Sequence, residues 1–121
     1  MTSEGMRTPV GSGELVAGGR EKGTLRRVTN IEDVLSLVRS GNAKDTVIYT
    51  EMGSVTNIAP LIADVRAVLC TVGGPTSHIA IVSRAFGRTC IVGVVMLVDV
   101  GEIEGRVVVV EEDGSIHVIE S

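Results

Sequence analysis

The segment of residues 67–92 constrains the fold of this chain more than any other. Residues 67–71 form an apolar run typical of a buried strand, and residues 77–86 carry apolar side chains at helical spacing. Gly87 then ends the helix, and residues 90–92 are again strand-like. Two strands joined by one helix pair in parallel by default, with a right-handed crossover. The sequence therefore predicts a central βαβ unit. A glycine turn, beginning at Gly73-Gly74, lies at the carboxyl end of its first strand, where open α/β sheets bind ligands.

The rest of the chain predicts further short elements around this unit. The amino-terminal residues 1–13 are polar and rich in glycine, which predicts a flexible tail followed by one domain over residues 14–121. The other expected elements are strands at residues 15–17, 24–28 and 46–50, a helix between the caps Asn30 and Gly41, a helical turn opening at Thr56-Asn57, and a C-terminal β-hairpin of residues 107–110 and 116–119 around Asp113-Gly114. The expected fold class is α/β.

Composition limits which residues can fill the core and which partners the chain can bind. Tyr49 and Phe86 are the only aromatic residues, so Val, Ile and Leu must fill the core, which suits buried strands. The net charge is −4 and the pair Arg26-Arg27 is too small to predict nucleic-acid binding. The longest apolar run, residues 91–100, is about half of the ~20 residues that cross a bilayer. We therefore expect neither a nucleic-acid nor a membrane partner.

Two cysteines indicate the compartment rather than the chemistry. Cys70 and Cys90 lack the CxxC spacing of zinc sites and both lie in strand-like runs, so we predict free, buried core thiols and no metal. Free thiols, together with a polar amino end that lacks an apolar signal region, predict a cytoplasmic protein.

His78 is the strongest candidate for a residue that takes part in chemistry. It lies behind a glycine turn at the start of a predicted helix, where unpaired backbone N–H groups and the helix dipole favour anions. Ile81 and Val82 share its helix face, and no carboxylate on this helix can orient the imidazole, which argues against a local Ser-His-Asp arrangement. We predict that the imidazole itself is a nucleophile toward phosphorus. The other histidine, His117, lies in the terminal hairpin and is predicted to be a structural strand residue.

Residues 73–87 closely resemble the signature of the phosphohistidine swivelling domain. This is the mobile domain of PEP-utilising enzymes such as pyruvate phosphate dikinase and phosphoenolpyruvate synthase. The family pattern is Gly-Gly-x-Thr-Ser-His-x-Ala-(Ile/Val)-x-(Ala/Ser)-Arg, followed by Gly and an apolar strand that ends in glycine, here Gly93. Thr89 stands where many members have proline, and weaker similarity covers most of the remaining chain. The resemblance implies the swivelling β/β/α fold.

The resemblance also implies residue roles. His78 matches the phosphorylated histidine, and the residues expected to shape its phosphate pocket are Gly73, Gly74, Thr76 and Ser77. Thr76 matches a threonine that some members phosphorylate for regulation. Arg84 matches the motif arginine. Because it lies six residues beyond His78, helix-end packing and partner docking remain alternatives to direct phosphate contact.

By the same resemblance, the expected function is phosphoryl carriage within a multi-chain phosphotransferase. The donors and acceptors would lie on separate chains: an ATP-grasp-like nucleotide-binding partner, and a partner that binds PEP, pyruvate or another acceptor. Mg²⁺ and ATP or PEP are expected on those partners, and no cofactor on this chain. Two alternatives stay open: a docking or regulatory module whose His78 is never phosphorylated, and a small-anion sensor that uses the same helix terminus without covalent chemistry.

Overall fold

Short strands rich in Val, Ile and Leu close into a seven-stranded barrel in a computed structural model, which describes residues 6–51 and 59–120. The strands are β1 (Met6–Ala17), β2 (Glu21–Arg27), β3 (Thr46–Thr50), β4 (Ala67–Cys70), β5 (Thr89–Met96), β6 (Val107–Val110) and β7 (Ser115–Glu120). Their order around the barrel is β1-β5-β4-β3-β2-β6-β7, and β7 pairs again with β1. The sheet is mixed, because β2, β3, β4 and β5 pair in parallel while the other pairs are antiparallel.

Four small helices connect these strands. They are α1 (Ile31–Ser40), α2 (Ala59–Ile62), α3 (His78–Ala85) and α4 (Val100–Ile103), with a 3-10 turn at Ala43–Asp45 after α1. Helix α3 joins β4 to its parallel neighbour β5 and packs against β5 and β1. Within residues 6–51 and 59–120, no helix has the length and apolarity needed to cross a membrane.

Side-chain alternation along the strands builds two separate apolar clusters. Along β3, Val47 and Tyr49 belong to one cluster and Ile48 to the other, and β4 alternates in the same way. The cluster that contains Ile48 also contains Val34 and Leu37 of α1 and Ile79 of α3, so it lies between the barrel and these helices. The second cluster draws on β1 to β7 and fills the barrel interior. Strands buried on both faces explain the nearly continuous apolar runs in the sequence.

The predicted fold class was wrong. The sequence predicted an α/β swivelling β/β/α domain around a central βαβ unit, but the sheet closes into a mixed barrel that carries only small helices. Closure depends on β1, which pairs with β5 on one side and with β7 on the other. At Gly13 of β1, a Cβ atom would lie 2.7 Å from Ile91 Cγ2, so glycine permits the close approach of β1 to β5. Pairing between strands so distant in sequence has no local signal.

The predicted tail also differs from the structure. Residues 6–13 belong to β1, whereas residues 1–5 lie outside the described part. The segment has no apolar alternation, and β1 shifts register between Pro9 and Gly11 and again between Ser12 and Glu14. Such irregularities hide a strand from pattern analysis because they break the period of two.

Most local elements were predicted correctly. Helix α1 has Asn30 as N-cap and Gly41 as C-cap, β3 spans the predicted residues, and β6 and β7 form the antiparallel hairpin. Cys70 and Cys90 are buried and free, as predicted. The predicted helical turn opens at Thr56-Asn57, outside the described residues, but the residues 60–62 that it was expected to carry lie in α2. The short helix α4 was not predicted.

Candidate functional site

The glycine turn places His78 at the first residue of α3, exposed to solvent beyond the carboxyl end of β4. Gly73 has a φ of +99°, a conformation that L side chains rarely adopt. A Cβ atom at this position would lie 3.0 Å from Ser77 Oγ. Glycine at position 73 is therefore needed for the chain to turn from the strand into the helix.

The start of α3 has no side-chain cap. Ser77 occupies the N-cap position, but its hydroxyl donates a hydrogen bond to the Gly74 carbonyl at 2.7 Å instead of accepting one from the helix. The Ser77 N–H group also donates to the Gly74 carbonyl, at 3.0 Å. The first turn contains no acidic residue. The first backbone N–H groups of α3 are thus left open on the side of the glycine turn, where an anion gains from them and from the helix dipole.

The predicted site residues lie together, but they are not equivalent. Gly73, Gly74, Thr76 and Ser77 form the turn that leads directly into His78. Thr76 is exposed, and its hydroxyl makes no hydrogen bond with any residue the structure describes. The Ser77 hydroxyl is half-buried and its proton is committed to Gly74. Thr76 is therefore the hydroxyl that is freer to donate to a bound anion.

Two apolar side chains close to His78 in sequence are also exposed. Val72, just before the turn, is 43% exposed, and Ile81, one helical turn beyond His78, is 52% exposed. His78 makes no hydrogen bond or ion pair with the described residues. The imidazole therefore stands free on a partly apolar surface.

Arg84 does not lie on the imidazole face of the helix. Its Nε donates to the carbonyl of Val16 on β1 at 3.0 Å, and its Nη2 donates to the carbonyl of Pro75 in the glycine turn. The arginine thus contacts the backbone of β1 and of the turn that precedes His78, not the His78 side chain. The sequence could not have indicated Val16 as a partner, because 68 residues separate it from Arg84.

A cavity of about 560 Å³ lies at the opposite edge of the parallel strands. Its lining includes Lys44, Arg66 and Arg88, near the amino ends of β3, β4 and β5, whereas His78 follows the carboxyl end of β4. The cavity is thus separate from the glycine turn, and the sequence did not indicate it. No cluster of three potential metal-ligating side chains occurs in residues 6–51 and 59–120.

The two cysteines are buried in the core, and the second histidine lies beside a serine hydroxyl. Burial raises the pKa of the Cys90 thiol to about 11, and burial also raises the pKa of Cys70. Both thiols therefore stay protonated near neutral pH and are poor nucleophiles. His117 lies in β7, as predicted, with its Nε2 3.2 Å from Ser115 Oγ. His78 is the exposed histidine of the pair.

Comparisons with known proteins bear on the fold and on the family of this chain. Among curated proteins, none is significantly similar to the chain in sequence. A chain in the crystal structure of Thermococcus kodakaraensis aconitase X (holo-form) is similar in fold, with a TM-score of 0.64 and 16% identity; the match covers 93% of this chain and 100% of that chain. At that identity the likeness concerns the fold alone. The family model of the PEP-utilising enzyme mobile domain matches residues 42–115, which is more than half of the sequence and includes the whole glycine turn and α3. The chain belongs to the family of PEP-utilising enzyme mobile domains.

Proposed function

We propose that this chain accepts a phosphoryl group on the imidazole of His78 and carries it between two partner centres. One partner binds a nucleotide, and the other binds PEP, pyruvate or another acceptor. The observation that carries the proposal is an exposed histidine at the uncapped start of α3, within the matched family segment. An exposed carrier group can enter another active site, whereas a buried one cannot.

The transfer is a balanced exchange at phosphorus. A nitrogen lone pair of the neutral His78 imidazole forms the N–P bond while the P–O bond to the donor's leaving group breaks, and the leaving oxygen keeps that electron pair. The proton on the other ring nitrogen can pass to solvent. In the second half-reaction the other ring nitrogen regains a proton from solvent, an acceptor oxygen attacks the same phosphorus, and the neutral imidazole leaves with the N–P electron pair. No oxidant or reductant is involved.

The residues around His78 favour the charged product. The open N–H groups of the first turn and the helix dipole stabilise a negative group at this end by about 0.3–1 kcal/mol at an exposed site. The Thr76 hydroxyl is free to add a hydrogen bond to a phosphate oxygen. Its exposure also makes Thr76 available for a regulatory phosphorylation, which we include in the proposal as a secondary role.

The remaining machinery is assigned to the partners. Phosphoryl transfer needs charge neutralisation by metal ions and donors, and we assign Mg²⁺ with ATP or PEP to the partner chains or domains. The apolar rim formed by Val72 and Ile81 suits a surface that is dehydrated when His78 enters such a site.

Labelling of the histidine tests this function. The full chain is incubated with labelled ATP or labelled PEP in an extract of its source and kept at alkaline pH for intact-mass and peptide analysis. We expect one acid-labile phosphoryl group on His78, complete loss of label in His78→Ala, and full label in the matched control His117→Ala. Label that persists in His78→Ala, or absence of label when a known family member is labelled in parallel, contradicts the proposal.

A second candidate is a docking module in which His78 is never phosphorylated. The exposed apolar side chains Val72 and Ile81 near the glycine turn favour it, because exposed apolar surface is typical of a docking site. This candidate predicts a partner complex that forms equally well with the wild type and with His78→Ala, in the absence of any phosphoryl donor. A complex that forms only with labelled protein would exclude it.

A further inference from the structure

Arg84 connects three parts of the structure: its own helix α3, the glycine turn nine residues earlier, and strand β1, 68 residues away. It belongs to α3, its Nε donates to the Val16 carbonyl of β1, and its Nη2 donates to the Pro75 carbonyl of the glycine turn. The side chain is otherwise exposed. Its guanidinium thus fastens the turn before His78 both to the helix and to the wall of the barrel.

The Val16 carbonyl lies at an irregularity of the β1–β5 ladder. Leu15 pairs with Ile91 and Ala17 pairs with Cys90, so two residues advance on β1 while one advances on β5, and Val16 has no partner in the register. A bulged residue leaves backbone groups outside the ladder, and partly buried backbone groups need a hydrogen-bond partner. Arg84 supplies that partner for the carbonyl.

Pro75 can be held only through its carbonyl. Proline has no backbone N–H group, so the carbonyl is its single backbone hydrogen-bonding group. The preceding residues are Gly73 and Gly74, which restrict the backbone less than any other residue would. A planar guanidinium offers donors in a fixed fork, so one arginine can hold two carbonyls at a set separation, which a lysine ammonium on a flexible stem cannot do equally well.

We propose that Arg84 is a positioning residue that clamps the glycine turn onto the bulge of β1 and so fixes the backbone N–H groups around His78. Its importance for phosphoryl transfer rests on the function proposed above. The clamp itself is a property of the free chain and can be measured without any phosphoryl donor.

The first test measures hydrogen exchange of the backbone amides of residues 73–79 in the full chain. Arg84→Met removes both donors, and Arg84→Lys retains a cation with one flexible donor group. The matched control is Arg88→Met: Arg88 is exposed, four residues away, and its side chain makes no hydrogen bond or ion pair with described residues. We expect exchange at Ser77 and its neighbours about tenfold faster in Arg84→Met, an intermediate rate in Arg84→Lys, and the wild-type rate in Arg88→Met. Equal rates in all four proteins overturn the clamp.

The second test measures the rate at which His78 is phosphorylated under the labelling conditions above. Misplacement of a reacting group by about 1 Å costs as much as 10²-fold, so we expect a 10- to 100-fold slower rate in Arg84→Met, partial recovery in Arg84→Lys and no change in Arg88→Met. Wild-type rates in both Arg84 variants overturn the positioning role.

The two tests keep the two proposals apart. If the wild type is never labelled, the carrier function fails while hydrogen exchange still decides whether the clamp exists. If the wild type is labelled and exchange is unchanged in Arg84→Met, the carrier function stands and the clamp is overturned. Circular dichroism melting establishes that each variant is folded, and Arg84→Lys decides both tests if Arg84→Met is unfolded.

Discussion

Helices α1 and α3 both pack on the outside of the barrel, but their amino-terminal ends are built in opposite ways. At the start of α1, the Asn30 side chain accepts a hydrogen bond from the Asp33 N–H at 3.0 Å, and the Asp33 carboxylate accepts one from the Thr29 N–H at 2.8 Å. Hydrogen bonds donated to its carboxylate hold the pKa of Asp33 below its usual value, with the Thr29 N–H as the largest cause. At the start of α3, the Ser77 hydroxyl turns back to Gly74.

The difference separates a structural helix end from one available for chemistry. The first turn of α1 carries Glu32 and Asp33, whose charges already complement the helix dipole. The first turn of α3 carries no acid and begins with His78. A phosphoryl group on His78 would therefore supply the negative charge that α1 obtains from its own side chains.

The largest expected effect comes from giving α3 an acidic cap like that of α1. Ser77→Asp places a carboxylate over the open N–H groups, where it stabilises the helix but repels a phosphoryl group. We expect phosphorylation of His78 to slow at least tenfold, equivalent to about 1.4 kcal/mol in the barrier, without a lower melting temperature. Asn30→Asp adds the same charge to α1 and should leave the rate unchanged. Equal slowing in both variants would mean that net charge, not the α3 terminus, governs the rate.

The inner side of α3 packs on a buried cluster that contains Cys90, and the burial of this thiol predicts a pH dependence of stability. Burial raises the pKa of Cys90 in the folded protein to about 11 from a reference value of 9.0. The unfolded thiol therefore loses its proton first, and stability falls as pH rises from about 9 to 11. We expect Cys90 to account for about 2 kcal/mol of lost stability by pH 11. Urea unfolding across this range should show a shallower decline in Cys90→Ala; an identical slope contradicts the assignment.

A smaller effect is expected from adding a side chain at Gly73, where the backbone has a positive φ. Gly73→Ala forces an L side chain into a φ of +99° and against Ser77, which should cost about 1–2 kcal/mol in stability and also slow phosphorylation. Gly74→Ala is the matched control, because a Cβ atom there meets nothing within 4 Å. Chemical denaturation compares the two. If both alanines cost the same, the left-handed turn at Gly73 is not the source.

The smallest effect is expected at the closed end of α1. Asn30→Ala removes the cap on the Asp33 N–H and should lower the free energy of unfolding by about 1 kcal/mol, the usual value for an N-cap. Phosphorylation of His78 should continue at the wild-type rate. A slower rate in this variant would show that the two helix ends are coupled. The start of α1 would then not be a purely structural helix end.

Local signals sufficed for several elements that are formed by neighbours in sequence, although the short helix α4 with its Asp99 cap was not predicted. Helix α1 was predicted with both caps because Asn30 and Gly41 act within one turn of the residues they cap. The position of His78 behind the glycine turn followed from the same kind of signal. The partners of Arg84 could not be predicted, because the bulge at Val16 exists only where β1 pairs with β5.

The sequence by itself determined most apolar segments and both caps of α1, and it singled out His78 as the candidate site residue, since each depends on propensity, side-chain period or a motif within about fifteen residues. Only the tertiary structure decided that the sheet closes. Closure comes from β1, an irregular and glycine-bearing strand whose partners β5 and β7 lie far along the chain, and it is stabilised by hydrogen bonds and by an interior cluster drawn from every part of the barrel. Such pairing is a property of the assembled chain, because no single segment carries the hydrogen-bond partners that create it.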